Sequence, residues 1–152
     1  MKKILPFCTA LFLLTQLSPA AVSEGDVAII RVNGNTDGFT VLALKNLSAS
    51  DSLFFTDAAW QSGGGFDSGE GAGTTDILTA NILAGSTFDV ATSGLNASGE
   101  QVFLFTGTKA APSLVYGINW NNSGWITSGA TLLPLPTSQT RERVRLRRVS
   151  IT

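Results

Sequence analysis

The chain has 152 residues, of which 43% are hydrophobic and only 14% charged, with a formal net charge of −1 and no histidine. That length holds one domain rather than two. Without histidine, and with its single cysteine at position 8, the chain lacks Ser-His-Asp and Cys-His nucleophile arrangements, thiolate or imidazole zinc sites and histidine-ligated haem. Any metal would be a hard cation on oxygen ligands, and acid–base chemistry would fall to carboxylates or lysine.

In chain order, Lys2 and Lys3 precede an apolar run from Ile4 to Leu17, which exits through Ser18-Pro19-Ala20-Ala21. A positive start, a short apolar stretch and small exit residues read as a secretory signal peptide over residues 1–20, cleaved after Ala20. Pro6, Thr9, Thr15 and Gln16 interrupt the run, so an uncleaved membrane anchor is the weaker alternative. Cys8 lies inside the run rather than at its end, which argues against lipid attachment. Cleavage leaves a cysteine-free chain of about 130 residues, which must be held by an apolar core without disulfides. The expected location is periplasmic, extracellular or cell-surface, with no transmembrane segment after cleavage.

Residues 21–136 read as one all-β domain. Short apolar runs rich in β-branched and aromatic residues recur about every ten residues, a spacing that predicts a β-sandwich. The predicted strands are Val27–Val32, Phe39–Leu47, Ser52–Thr56, Ile77–Ala80, Thr87–Ala91, Gln101–Thr106 and Leu114–Trp120. In the second, Phe39, Val41 and Ala43 face one way and Leu42 and Leu44 the other, so both faces are apolar and a central position is expected. Asn33-Gly34-Asn35 and Asp37-Gly38 supply residues tolerant of positive φ, predicting a hairpin between the first two strands. Ala84-Gly85-Ser86 and Ser98-Gly99-Glu100 read as further turns. No stretch of the domain shows a sustained helical period.

One connection is too long for a hairpin. Residues 57–75 are glycine-rich, and long loops in compact domains tend to be functional or disordered. Trp60 and Phe66 predict that this loop is pinned to the sandwich. Asp57, Asp67, Glu70 and Asp76 surround it and are candidate Ca²⁺ ligands, since Ca²⁺ takes six to eight oxygens in irregular geometry. The competing reading, which the absence of an EF-hand or nonapeptide spacing favours, is that each caps a turn through nearby backbone N–H groups. A pair of carboxylates is also the minimum for glycoside hydrolysis, a weak signal in any exported β protein. Asn119, Trp120, Asn122 and Trp125 could form a sugar-binding platform of rings and amides. The plainer alternative is a tryptophan that closes the core beside a solvated turn.

Three segments carry a family resemblance. Gly25-Asp26-Val27-Ala28-Ile29-Ile30 opens the domain. Leu53-Phe54-Phe55-Thr56-Asp57-Ala58-Ala59-Trp60 is followed by Gly64-Gly65-Phe66 and Glu70-Gly71. Leu95-Asn96-Ala97-Ser98-Gly99-Glu100-Gln101-Val102-Phe103 precedes Tyr116-Gly117-Ile118-Asn119. Together they resemble an uncharacterised domain of secreted bacterial proteins, often carrying PEP-CTERM-type sorting tails, that is distantly similar to lamin-tail, immunoglobulin-like sandwiches. The resemblance implies a sandwich of about 7–9 short strands and an extracellular setting, and it implies no chemistry.

Charge divides the chain. Residues 21–136 hold three basic residues against ten acidic ones, whereas residues 137–152 hold five arginines and one glutamate. The basic tail could contact an anionic polymer, could form a strand in which Val144 and Leu146 alternate with arginines, or could come from a shifted frame or truncated gene. Its break in composition coincides with its departure from the family pattern, which favours the last. The acidic body argues against a nucleic-acid partner. The function expected from sequence is a non-enzymatic extracellular or cell-surface module for structural or adhesive work, with no obligatory cofactor and with surface polysaccharide or another matrix component as partner. A glycan-binding or calcium-stabilised recognition module is the alternative.

Overall fold

The computed structural model of the chain describes residues 21–70, 75–120 and 125–128. The expected signal peptide, Asn122 and the basic tail lie outside the described residues. Within them the protein is all-β. Its strands are β1 (Val27–Asn33), β2 (Gly38–Ala43), β3 (Phe54–Thr56), β4 (Trp60–Gln61), β5 (Thr87–Ala91), β6 (Glu100–Thr108), β7 (Ala111–Trp120) and β8 (Thr127–Ser128). Two antiparallel three-stranded sheets form, in the orders β1-β2-β5 and β3-β6-β7, and β4 pairs with β8 in parallel. Among the described residues no helix is long and apolar enough to cross a membrane.

The sandwich-like packing follows from side-chain alternation. In β2, Phe39, Val41 and Ala43 are buried while Gly38, Thr40 and Leu42 face outward and are only partly covered, the period-two pattern of a strand with one core face. They meet Val27 and Ile29 of β1 and Val90 of β5 on one side of the core. Phe55, Val102, Leu104 and Val115 of the other sheet close it, with Leu53 just before β3. Phe39 and Phe55 meet edge-to-face across this layer at 5.3 Å, a geometry set by the ring quadrupoles. As expected, β2 is the central strand of its sheet.

The predicted hairpin between the first two strands is present, with Asn33 opposite Gly38. The Asn33 side-chain oxygen accepts from the N–H groups of Asn35 and Thr36 at 3.1 and 3.3 Å. Asp37 takes φ +47°, a conformation that aspartate tolerates because its short side chain can bond locally. The turn at Ala84-Gly85 also forms, with Gly85 at φ +83°.

Two strand expectations are corrected. Residues 77–80 form no strand. Asp76 Oδ1 instead accepts from Leu53 N at 3.1 Å and Leu78 N at 2.9 Å, and Ile77 N donates to Leu53 O at 2.8 Å. A carboxylate thus takes donors that a ladder would have used. The second strand ends at Ala43 rather than Leu47. Leu44 is 52% exposed, and Leu47 makes only an isolated bridge to Ile82.

Leu104 is fully buried between the sheets. Leu104→Ala is expected to cost about 2–5 kcal/mol through lost transfer energy and an unfilled cavity. Urea unfolding should show a lower midpoint at an unchanged slope, which separates lost stability from a changed unfolded state.

Candidate functional site

The long glycine-rich connection is the segment that sequence marks for function, and its described part, residues 57–70, folds back over the outer face of the β3-β6-β7 sheet. Phe66 stands at its centre, with ring centroids 5.2 Å from Trp60, 5.1 Å from Phe103 and 5.3 Å from Phe105. These rings and Ala58 form a second apolar cluster, separate from the core between the sheets. Trp60 and Phe66 therefore pin the loop, as their position in the sequence predicted. Backbone bonds fix the path: Phe66 N donates to Lys109 O at 2.7 Å, and Asp67 N to Ala59 O at 2.9 Å. Gly65 adopts φ +87°, and a Cβ there would lie 2.7 Å from both the Lys109 and Ala110 carbonyl oxygens. Only glycine fits that approach without moving the backbone.

A buried amide joins this loop to the chain beyond the second sheet. Gln101 is wholly buried. Its Nε2 donates to Ala58 O and Ile126 O, both at 3.1 Å, and its Oε1 accepts from Ile126 N at 2.8 Å. Trp60 N also donates to Ile126 O at 3.3 Å, so the β4–β8 pairing and the Gln101 bonds hold the same strap. Sequence reading missed Gln101 as a key residue. Its signal was a polar residue at the head of the apolar run Val102–Phe105, in a strand covered on both sides.

The four candidate calcium ligands do not act as one set. Asp67 accepts from Gln61 Nε2 at 2.5 Å and Gly69 N at 2.8 Å. Asp76 holds Leu53 and Leu78 as described above. Glu70 Oε2 accepts from Ala59 N at 3.3 Å, and Lys109 Nζ donates to the Glu70 carbonyl. Asp57 differs, because its Oδ1 is buried with no hydrogen-bond partner. Burial pushes the Asp57 carboxyl above the ordinary range, opposed by the residue's own backbone N–H and the Lys109 charge and aided by Glu70's charge. Glu100, which sequence reading did not select, is raised in the same way, first by burial and then by Asp57 and Glu70. Asp57 and Glu100 are thus each raised further by the charge of Glu70, while Asp67 and Asp76 sit at separate turns. Among the described residues no group of three acidic, histidine or cysteine side chains is arranged to hold a metal ion.

The aromatic candidates are also divided. Trp125 stacks on Phe103 at 4.8 Å with its ring plane tilted 28°, on the outer face of the second sheet. Gly117 makes room there, since a Cβ would lie 3.1 Å from the Trp125 ring. Trp120 packs against the core between the sheets, and its Nε1 donates to Asn96 O at 3.1 Å. The two tryptophans therefore sit on opposite faces of the β3-β6-β7 sheet and share no platform. Asn119 lies opposite Gln101 in the β6–β7 register.

Comparison with known proteins returns nothing that matches this chain, whether as a family, a curated protein or a solved structure.

Gln101→Leu is expected to destabilise the fold by about 2–4 kcal/mol, because it strands the Ala58 and Ile126 backbone groups. Limited proteolysis should then cut within residues 57–70 before the sheets unfold. Asp57→Asn should act in the opposite direction. A carboxyl whose folded pKa is raised favours the native state in its protonated form, so its cost appears as pH rises from the ordinary value of 3.8 through the raised one. Thermal melts should show the variant more stable than the parent at pH 7 and equal to it at pH 3.

Proposed function

We propose that this chain is an exported, non-enzymatic module of the lamin-tail-like, immunoglobulin-like sandwich class. It does structural or adhesive work at the cell surface or in the extracellular matrix, with surface polysaccharide or another matrix component as partner. One observation carries the reading. The long loop on which such a domain would mount a catalytic or gating site is built into a second apolar cluster, and Asp67, Glu70 and Asp76 accept hydrogen bonds from backbone or amide N–H groups. A loop held in this way suits a stiff building block better than a lid.

Expression in a secreting bacterial host tests export directly. The expected product is a released or surface-associated species whose N-terminus is Ala21, and retention of residues 1–20 on a cytoplasmic species overturns the proposal. Incubation of the purified protein with surface polysaccharides should give cosedimentation without release of reducing ends. Hydrolysis abolished by Asp57→Asn or Glu100→Gln would instead establish a carboxylate enzyme.

A calcium-stabilised recognition module is the second reading, favoured by the unpartnered buried oxygen of Asp57 close to Glu70 and Glu100. A ligand that prefers the folded state stabilises it, by about 2.7 kcal/mol at a hundredfold excess over its Kd. The leading reading predicts superimposable melts with millimolar Ca²⁺ and with chelator. A calcium-dependent rise in Tm that Asp57→Asn removes would select the second.

A further inference from the structure

The outer face of the β1-β2-β5 sheet carries a feature that the functional reading above does not use. Arg31, Thr40 and Asp89 stand opposite one another in the strand registers and form a transverse row of cation, hydroxyl and carboxylate. Asn33, Gly38 and Ala91 form the next row toward the hairpin turn. Gly38 has no side chain, Ala91 has a small one, and the turn at Thr36 and Asp37 rises beside them. The result is a polar cavity of about 260 Å³ lined by Arg31, Asp37, Gly38, Thr40 and Asp89 among others. A Cβ on Gly38 would lie 3.0 Å from Val90 O, at the floor of this notch.

Arg31 reaches the notch because of a β-bulge. Ile29 points into the core, and strict alternation would turn Arg31 inward as well. The register of β1 against β2 shifts between Ile29 and Arg31, so Ile30 is the extra residue and Arg31 stands opposite Thr40. Bulges re-aim side chains in this way. Inward pointing would place a guanidinium among Val27, Ile29 and Val41, at a large desolvation cost.

The charges of the notch are unpaired with one another. Among the described basic residues, Lys45 is bound to Asp26 at 2.6 Å and Lys109 to the Glu70 carbonyl, while the Arg31 guanidinium makes no hydrogen bond or ion pair. Asp89 accepts from Thr40 Oγ1 at 2.5 Å and meets no cation. Arg31 and Asp89 lie on strands two apart, roughly 9–10 Å between backbones, with Thr40 between them. A cavity of this size is below the roughly 300–1,000 Å³ that takes a drug-sized ligand, so it suits a single small unit. Phe39, its one aromatic neighbour, is 3% exposed and turned into the core, which leaves charge and hydrogen bonding as the means of recognition.

We propose that this notch binds a small zwitterion, with Arg31 taking its carboxylate and Asp37 and Asp89 taking its ammonium group. A ligand of one sign only would meet a like charge on one side of the site, whereas a zwitterion complements both. The second carboxylate at Asp37 gives the amino end the larger share of the contacts. The bidentate fork of Arg31 suits a carboxylate.

Titration of the ¹⁵N-labelled full chain with a ladder of ω-amino acids, from glycine to 6-aminohexanoate, tests this. Saturable amide shifts are expected at Gly38, Thr40 and Asp89, with one chain length binding at least about tenfold tighter than acetate or an alkylamine of the same length. Arg31→Gln and Asp89→Asn, both on the exposed face, should each reduce that optimum to the level of the singly charged controls with the spectrum otherwise unchanged. Non-saturable shifts, equal binding of acetate or amine, stronger binding of galacturonate, or unaltered binding by both variants would overturn the proposal. None of these results depends on whether the chain is exported.

Discussion

The structure depends on the burial of β6 on both faces, and on the amide of Gln101 that makes the second face possible. Gln101 through Phe105 are all buried. Val102 and Leu104 face the core between the sheets, while Gln101, Phe103 and Phe105 face the loop and its strap. A three-stranded sheet normally leaves one face to water. Covering that face with irregular backbone hides polar N–H and C=O groups, which are costly unless bonded. Gln101 has both donor and acceptor on one planar group, and it bonds carbonyls from the loop and the strap as well as the strap's N–H. Around it the aromatic cluster of Trp60, Phe66, Phe103 and Phe105 can exclude water without leaving those groups unpaired.

This arrangement accounts for where the electrostatics are strained and where they are not. Near the surface, burial alone would raise the Asp26 carboxyl, but the Lys45 ammonium together with the N–H and O–H of Ser23 outweighs it and holds the group below the ordinary range. At Asp57 the residue's own backbone N–H and the Lys109 charge oppose the shift but do not outweigh burial. Asp57 lies between β3 and the covering loop, Lys109 reaches the Glu70 carbonyl rather than Asp57, and Glu70 and Glu100 add like charge nearby. The same loop that buries Phe66 therefore crowds three carboxylates at its margin, and two of them are pushed toward protonation.

The two sheets differ in what their outer faces offer. The β3-β6-β7 sheet is sealed by its own chain. The β1-β2-β5 sheet keeps Arg31, Thr40 and Asp89 in a row on its outer face, beside a gap left by Gly38. Sealing one face gives the domain a second apolar layer, while the other face keeps Arg31 and Asp89 exposed.

The amino-acid sequence by itself determined what local chemistry controls. Alternation in Phe39–Leu44 marked β2 as central, Asn33-Gly34-Asn35 and Asp37-Gly38 marked the first hairpin, Thr87–Ala91 marked β5, and Trp60 and Phe66 marked a loop that must bury its rings. These features depend on side-chain period, positive-φ tolerance and hydrophobicity, all of which are written within a few residues. Tertiary structure alone decided the rest. Ile77–Ala80 has the composition of a strand, but Asp76 takes the donors around it. Trp120 and Trp125 are five positions apart, yet a sheet lies between them. The two-residue strands β4 and β8 carry no pattern of their own and exist because Gln101 brings distant segments together. Glu100 feels the charge of Asp57 across 43 residues, and Arg31 and Asp89 line one cavity across 58, through strand register. Register and face are properties of paired strands, so a single strand's sequence cannot state which side chains will share a site.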